Sequence, residues 1–474
     1  MSTHSEQQDI RHTTPNAKRQ STPLVERRYV FAFLLVGALF PLWGFANDVT
    51  NPMVKVFEDV FQITTGQASL VQFAFYMGYG VMAVPAALFI RIFSFKAGIL
   101  LGLMLYALGA FLFVPASLYA EFNLFLMALW ILTLGLALLE TTANPFILAM
   151  GDKETAARRL NLAQAFNPLG SLLGMVVAQA FVLKKLEVGA FRDQVRLSEP
   201  ALATAPPATA DAIIDERLQS FIAEQPTEWA AMQMADLATV RGPYLLIGIV
   251  VVLLAIAVAF AKLPHTVSDK SQTDVRHLRN SFRRLLGNTA YREGVISQGF
   301  YVGAQIMCWT FIIHYGVTVV GLSAAEAQSY NIVAMVLFLI SRFVSTAVLS
   351  SVPAPAFLSF MAIGAACCTM GAIVFDGMMG LYALIAVSGF MSMMFPTIYA
   401  IALNNTGDDA SLGSAGLVMA IAGGAILTQA QGLLIDTGPF IPGTTDVQSS
   451  FVLPVVCFAV IAVYGWRRWS SPHQ

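Results

Sequence analysis

Residues 138–146, Leu-Leu-Glu-Thr-Thr-Ala-Asn-Pro-Phe, place a carboxylate, two hydroxyls, an amide and a proline inside a run that is otherwise apolar from about Phe122 to Met150. Roughly 20 apolar residues are enough to cross a bilayer. A carboxylate at that depth is costly, and such residues usually face a protein-lined cavity on an ion or substrate path. Glu140 is therefore a candidate ion-coupling residue: a proton carrier that loads and unloads near neutral pH, or a ligand to a cation. The plainer alternative is a carboxyl that stays protonated and only holds neighbouring helices. Asn144 lies four residues on and shares the face of Glu140. Pro145 frees the carbonyl of Thr141, one turn earlier.

A second polar cluster, Asn47-Asp48-Val49-Thr50-Asn51-Pro52, sits in the first apolar run. Asp48 and Asn51 share a helical face, with Trp43 about two turns below Asn51. Asp48 is a second coupling acid or, alternatively, an interfacial charge on a helix that Pro52 ends. Two amide stripes follow: Asn161, Gln164 and Asn167, spaced three apart, and Gln298, Tyr301 and Gln305, leading to Trp309. Amides in a membrane helix are either glue between helices or a surface for hydroxyls. Amides beside the aromatic plates of Trp43 and Trp309 are what a sugar requires. Other polar residues read more simply. Arg158 and Arg159 are membrane-edge anchors, and Arg342 snorkels to the interface. His314 is an interfacial histidine. Asp408-Asp409 and Asp152-Lys153-Glu154 are solvated loop charges. Gly423-Gly424 marks close helix packing.

The elements that must position these residues are membrane helices. Hydrophobic residues make up 57% of the chain and charged ones 12%, about half the charge of a soluble domain, and mean hydropathy is +0.68. Twelve spanning runs are expected near 29–52, 66–91, 96–117, 122–150, 157–184, 241–263, 290–319, 325–350, 355–376, 378–404, 411–437 and 448–468. Residues 1–28 form a polar tail, 29–263 a first six-helix bundle with a long loop at 185–240, 264–289 a basic linker, 290–468 a second bundle and 469–474 a short tail. Twenty of the 27 Lys and Arg residues fall on the side of the N-terminus, which places both termini in the cytoplasm. The long loop, amphipathic around Ile213 to Ala223, then lies outside. Net charge is -1, so no nucleic-acid partner is expected. Cys308, Cys367, Cys368 and Cys457 lie in apolar runs without ligand spacing. No phosphate-cradling Gly-Lys-Ser loop or hydrolase motif occurs, which argues against ATP-driven transport and membrane hydrolysis.

The halves repeat. Val36-Gly37-Ala38 with Trp43 and Phe45 recurs as Val302-Gly303-Ala304 with Trp309 and Phe311, and Pro396 of span ten echoes Pro145 of span four. Parallel repeats of six helices imply an all-α membrane protein of two six-helix bundles, with a binding site near the midplane between them.

The segments Leu42-Trp43-Gly44-Phe45-Ala46-Asn47, Leu139 to Phe146, Arg159-Leu160-Asn161-Leu162-Ala163-Gln164 and Tyr301-Val302-Gly303-Ala304-Gln305 resemble the L-fucose:proton symporter family. That family is the fucose/galactose/glucose branch of the major facilitator superfamily, and the likeness covers all twelve spans. The resemblance implies two essential carboxylates. One matches Glu140. The family's span-one aspartate falls on Asn51, and Asp48, one turn earlier, stands where the family has asparagine, so Asp48 is expected to take over its role. Phe395 stands where the family carries a tyrosine, next to the sugar. The expectation is an inner-membrane, monomeric symporter for L-fucose, galactose or glucose, not an enzyme, with no cofactor or metal. Its partners are sugar, cation and lipid. Protons are the expected coupling ion, and Na⁺, ligated by the two acids with Asn47, Asn51 and Thr142, is the alternative. A drug exporter, with an apolar cavity, and a non-transporting sugar sensor are the remaining classes.

Overall fold

In lipid, every backbone amide must find its partner inside its own segment, so an apolar chain of this length becomes helices. The computed structural model describes residues 25, 27–148, 150, 163–164, 166–199, 202, 205–261, 275–349, 351–403, 406 and 409–470. Among them are twelve helices long and apolar enough to cross a membrane. These spans are Arg27–Phe61, Thr65–Ile90, Phe95–Tyr119, Phe122–Asn144, Asn167–Lys185, Pro226–Phe260, Thr289–Val320, Ala324–Ser345, Ala354–Val374, Gly377–Leu403, Ala415–Asp436 and Asp446–Ser470. Thr64 with Gln67 and Thr445 with Gln448 form capping boxes that open spans two and twelve, each satisfying donors that a helix start leaves orphaned. Large apolar side chains such as Phe31, Met104, Leu253 and Phe343 point outward, as a lipid-facing belt requires.

Span one differs from expectation. Pro52 does not end it: after a turn at Asn51-Pro52 the helix resumes at Met53 and runs to Phe61. Pro52 occupies the start of the new helical segment, where its missing N–H costs nothing. Asp48 is consequently buried in mid-helix rather than set at an edge.

The repeat in the sequence is a repeat in the hydrogen bonds. Trp43 Nε1 donates to the Leu136 carbonyl of span four at 3.3 Å, and Trp309 Nε1 to Ser388 Oγ of span ten at 3.1 Å. Each tryptophan thus ties the first helix of its half to the fourth. Spans one and five pack with almost no gap. A Cβ on Gly170 would overlap the Pro41 backbone, and one on Gly44 the Asn167 carbonyl. Gly423 meets the Gly299 backbone of span seven in the same manner, the close packing expected of the Gly423-Gly424 pair.

The long loop is folded. Helices Glu187–Ser198 and Pro207–Glu224 form a hairpin over the end of the bundle opposite the N-terminus. Arg192 of its first helix pairs with Asp211 and Asp215 of its second, and lies 3.8 Å from Asp59 at the tip of span one. Its one hydrogen bond to the other half among the described residues is Arg196 Nη1 to the Gly321 carbonyl, 2.8 Å.

Candidate functional site

The two halves meet at that same end. Thr64 Oγ1 and Gly66 N donate to Asp436 of span eleven, both at 2.8 Å. Gln429 Nε2 donates to the Gly66 carbonyl, 2.8 Å, and Gln179 of span five to the Ala325 carbonyl of span eight, 2.9 Å. Glu58 Oε2 faces His314 Nε2 at 2.9 Å, the only carboxylate–imidazole contact between the halves among the described residues. At the opposite end no hydrogen bond joins the halves among those residues. Among the described residues, every hydrogen bond between the halves lies at the first, sealed end.

Glu140 lies in span four with its side chain half-exposed. Among the described residues it has no hydrogen bond or ion pair, and Tyr79 of span two is the group within electrostatic reach. Below it, Thr141 and Thr142 return their hydroxyls to the carbonyls of Ala137 and Leu138, so neither is spent on the carboxylate. A carboxylate at this depth, bonded to no donor or cation among the described residues, is free to take a proton.

Asp48 is the opposite case. It is 1% exposed and fully dressed: Asn51 Nδ2 donates to Oδ1 at 2.9 Å and Asn47 Nδ2 to Oδ2 at 3.4 Å, with the Ser171 hydroxyl of span five also bonded to it. Asn47 Oδ1 in turn accepts from the Tyr76 hydroxyl. Asn51 Oδ1 accepts from Gln72 Nε2 at 3.1 Å, and the same nitrogen donates to Thr310 Oγ1 of the other half at 3.2 Å. Both carboxylate oxygens face N–H donors, which a cation would repel.

The amide stripes divide. Gln164 is exposed and donates to Asn144 Oδ1 at 3.4 Å, joining two expected sugar ligands. Asn161 lies outside the described residues, as do Arg158, Arg159, Asp152, Lys153, Glu154 and Asp408. Asn167 opens the helix that follows the turn at Phe166. Its Nδ2 instead meets the Phe40 carbonyl of span one at 3.4 Å. In span seven, Gln305 is half-exposed and unbonded among the described residues. Gln298 is fully buried with both amide atoms unpartnered. Tyr301 is buried and donates to the Met391 carbonyl at 3.1 Å; its ring meets Phe395, half-buried, edge to face.

Four expectations need correction. Trp43 and Trp309 are 6% and 4% exposed, their N–H groups committed and their rings against Phe40 and Phe338. In this state they are packing residues and not open plates. His314 is not interfacial: it is 2% exposed and paired with Glu58. Arg342 does not snorkel, since its Nε donates to the Ser392 carbonyl at 3.1 Å and its guanidinium covers Phe338. Asp409 is not free in solvent: Arg284 of the linker grips both its oxygens at 2.8 Å, which holds its carboxyl down at about 2.

With this geometry in view, the chain can be set beside known proteins. Residues 30–186 match the Major Facilitator Superfamily. The chain is 49% identical to the L-fucose-proton symporter of Haemophilus influenzae, across 94% of this chain and 98% of that protein. It is 34% identical to the L-fucose-proton symporter of Escherichia coli, across 93% and 94%. The chain belongs to the L-fucose:proton symporter family of the major facilitator superfamily. A crystal structure of the superfamily transporter FucP in the outward conformation superimposes with a TM-score of 0.67 at 33% identity, covering 93% of this chain and 99% of that one.

Members of this family span the membrane many times, and the twelve helices here agree with that. Sequence reasoning missed three residues of the buried network: Gln72, Tyr76 and Thr310. Polar residues of spans two and seven at the depth of Asp48, each one turn or so from another polar group, were the available signal. It also missed the cluster Lys55, Glu58 and Asp59, whose spacing of three and four is that of an ion-paired helix face. Lys55 Nζ lies 2.7 Å from Glu58 and 3.0 Å from Asp59.

Proposed function

We propose that this chain is a secondary active symporter of the inner membrane that takes up L-fucose or a related hexose with protons by alternating access. The observation that carries the reading is Glu140, a half-exposed carboxylate in a spanning helix with no partner among the described residues, in a chain whose relatives at 49% and 34% identity are named L-fucose-proton symporters. With the basic tail and linker inside, the sealed end is the outer one. The structure is then the state in which solutes exchange with the cytoplasm.

Glu140 carries the proton, and Asp48, held by Asn47 and Asn51, is the second coupling acid. Asn144, Gln164 and Gln305 supply hydroxyl ligands, joined by Asn47, Asn167, Gln298 and Phe395 as the halves move; Trp43, Tyr301 and Trp309 brace the site from behind. In the outward-open state Glu140 takes a proton and the sugar binds. An ionised Glu140 would be a lone charge sealed from water, so closing the halves over it costs several kcal/mol and closing over the neutral acid does not. That difference is the coupling, by which proton and sugar move together. Protons are preferred to Na⁺ because the oxygens of Asp48 already accept from N–H groups.

The test is uptake of radiolabelled L-fucose, D-galactose and D-glucose into proteoliposomes, with pH and Na⁺ gradients imposed separately. Accumulation under the proton gradient alone is expected. Accumulation that requires Na⁺ would replace the proton with that cation, and no flux under either gradient would overturn the symporter reading.

A further inference from the structure

The chain of hydrogen bonds from Asp48 does not end in its own half. It runs Asp48, Asn51, Gln72, Thr310, and its last link crosses from span two to span seven at the sealed end. Asp48 and Thr310 are each 1% exposed, and Asn51 and Gln72 are wholly buried, so water cannot substitute for any link. Its polarity is uniform: Asn51 donates to the carboxylate, and Gln72 donates to Asn51. That is the direction an ionised carboxylate demands, because it only accepts.

A proton on Oδ1, the oxygen that Asn51 bonds, makes Asp48 the donor on that link. For Asn51 to accept that proton its amide must turn over, presenting Nδ2 to Gln72. Gln72 must then present an acceptor, and its Oε1 is a buried atom without any partner in this structure. With Oε1 turned toward Asn51, Thr310 changes from acceptor to donor. Burying unpaired amide atoms is costly, so the four groups turn together or not at all. We infer that Gln72 is the positioning residue through which the state of Asp48 is read by the other half of the transporter, with Thr310 as its contact there. The inference rests on the reading of Asp48 as a coupling acid.

No other charged side chain competes in this network. The groups facing Asp48 are the Tyr76 phenol, an electrostatic neighbour on span two, the Ser171 hydroxyl on span five, and Asn47 and Asn51 on its own helix. The quantity to follow is the part of the pH response that Asp48→Asn removes.

Spin labels at Leu197→Cys and Phe440→Cys, exposed positions on the two halves at the sealed end, report opening there in a background freed of the native cysteines. Full-length protein in liposomes is compared in mildly alkaline and mildly acidic buffer. The expected result is a pH-dependent shift in the wild type and Thr310→Ser, lost in Asp48→Asn, Gln72→Leu and Thr310→Val. Sugar exchange without a gradient should persist in Thr310→Val, which keeps the shape of threonine and lacks only the hydroxyl. If Gln72→Leu fails to fold, Thr310→Val decides alone. A full shift in Thr310→Val beside a lost one in Asp48→Asn would overturn the role of Gln72 and leave that of Asp48. A full shift in Asp48→Asn would overturn the reading of Asp48 itself.

Discussion

Replacing Glu58 by glutamine should loosen the sealed end by a calculable amount. Glu58 Oε2 meets His314 Nε2 at 2.9 Å across the halves, and Oε1 meets Lys55 Nζ at 2.7 Å within one helix. The Lys55 contact survives any movement of the halves, so its loss cancels between states. The His314 contact exists only when this end is shut. A hydrogen bond to a charged group contributes about 1.5–3 kcal/mol and a neutral one about 0.5–1.5 kcal/mol. Glutamine keeps the shape and a neutral bond, so the closed state loses about 1.5 kcal/mol, on the order of tenfold in population. Lys55 keeps Asp59 at 3.0 Å, so no cation is orphaned to confound the result. The Leu197–Phe440 label pair reads the ratio of closed to open molecules directly. A ratio unchanged in Glu58→Gln would refute the reasoning, because the Glu58–His314 hydrogen bond would then contribute nothing to the seal.

Three other outcomes are expected. Glu140→Gln makes the carrier permanently neutral; a unit of pH difference, about 1.4 kcal/mol or tenfold accumulation in the wild type, should then yield no accumulation, while exchange of labelled for unlabelled sugar continues. Gly170→Val forces span five off the Pro41 backbone, and strain of about 1–3 kcal/mol should lower the melting temperature in detergent, as should the same change at Gly44. The Arg284–Asp409 clamp has a folded carboxyl near 2 against an ordinary 3.8, so its contribution is fully present above 3.8 and disappears as pH falls through 2; Asp409→Asn should remove that acid dependence from proteolysis of the linker.

The membrane spans were legible because length and apolar content are local properties, and a bilayer fixes what they mean. The five-residue match between spans one and seven was legible for the same reason, and it located the two tryptophans that brace each half. What spacing could not give was the partner. Trp43 and Trp309 stand where sugar plates would stand, yet their N–H groups are satisfied 93 and 79 residues away. His314 looks interfacial by depth alone; its acid lies 256 residues earlier in the chain. Pro52 looks like a terminator because proline forbids the preceding turn, but a helix that pauses for one turn can restart on it. Glu140 was visible from sequence because a charge in an apolar run advertises itself, and among the described residues it has no partner, whereas Gln72, an ordinary amide, acquires importance only from what it bridges.

The folded hairpin over the sealed end is fastened unevenly. Arg192 binds it to Asp211, Asp215 and the tip of span one, whereas toward the opposing bundle the described residues show one hydrogen bond, Arg196 to the Gly321 carbonyl, and the packing of helix Pro207–Glu224 on Gly316–Val320. Such a shutter is hung from one jamb. When the bundles part with the hairpin's charged fastenings intact, the Arg196 bond is exchanged for water and the packing of helix Pro207–Glu224 on Gly316–Val320 must come apart. Opening therefore leaves the ion pairs of the hairpin whole and breaks only its neutral contacts with the opposing bundle.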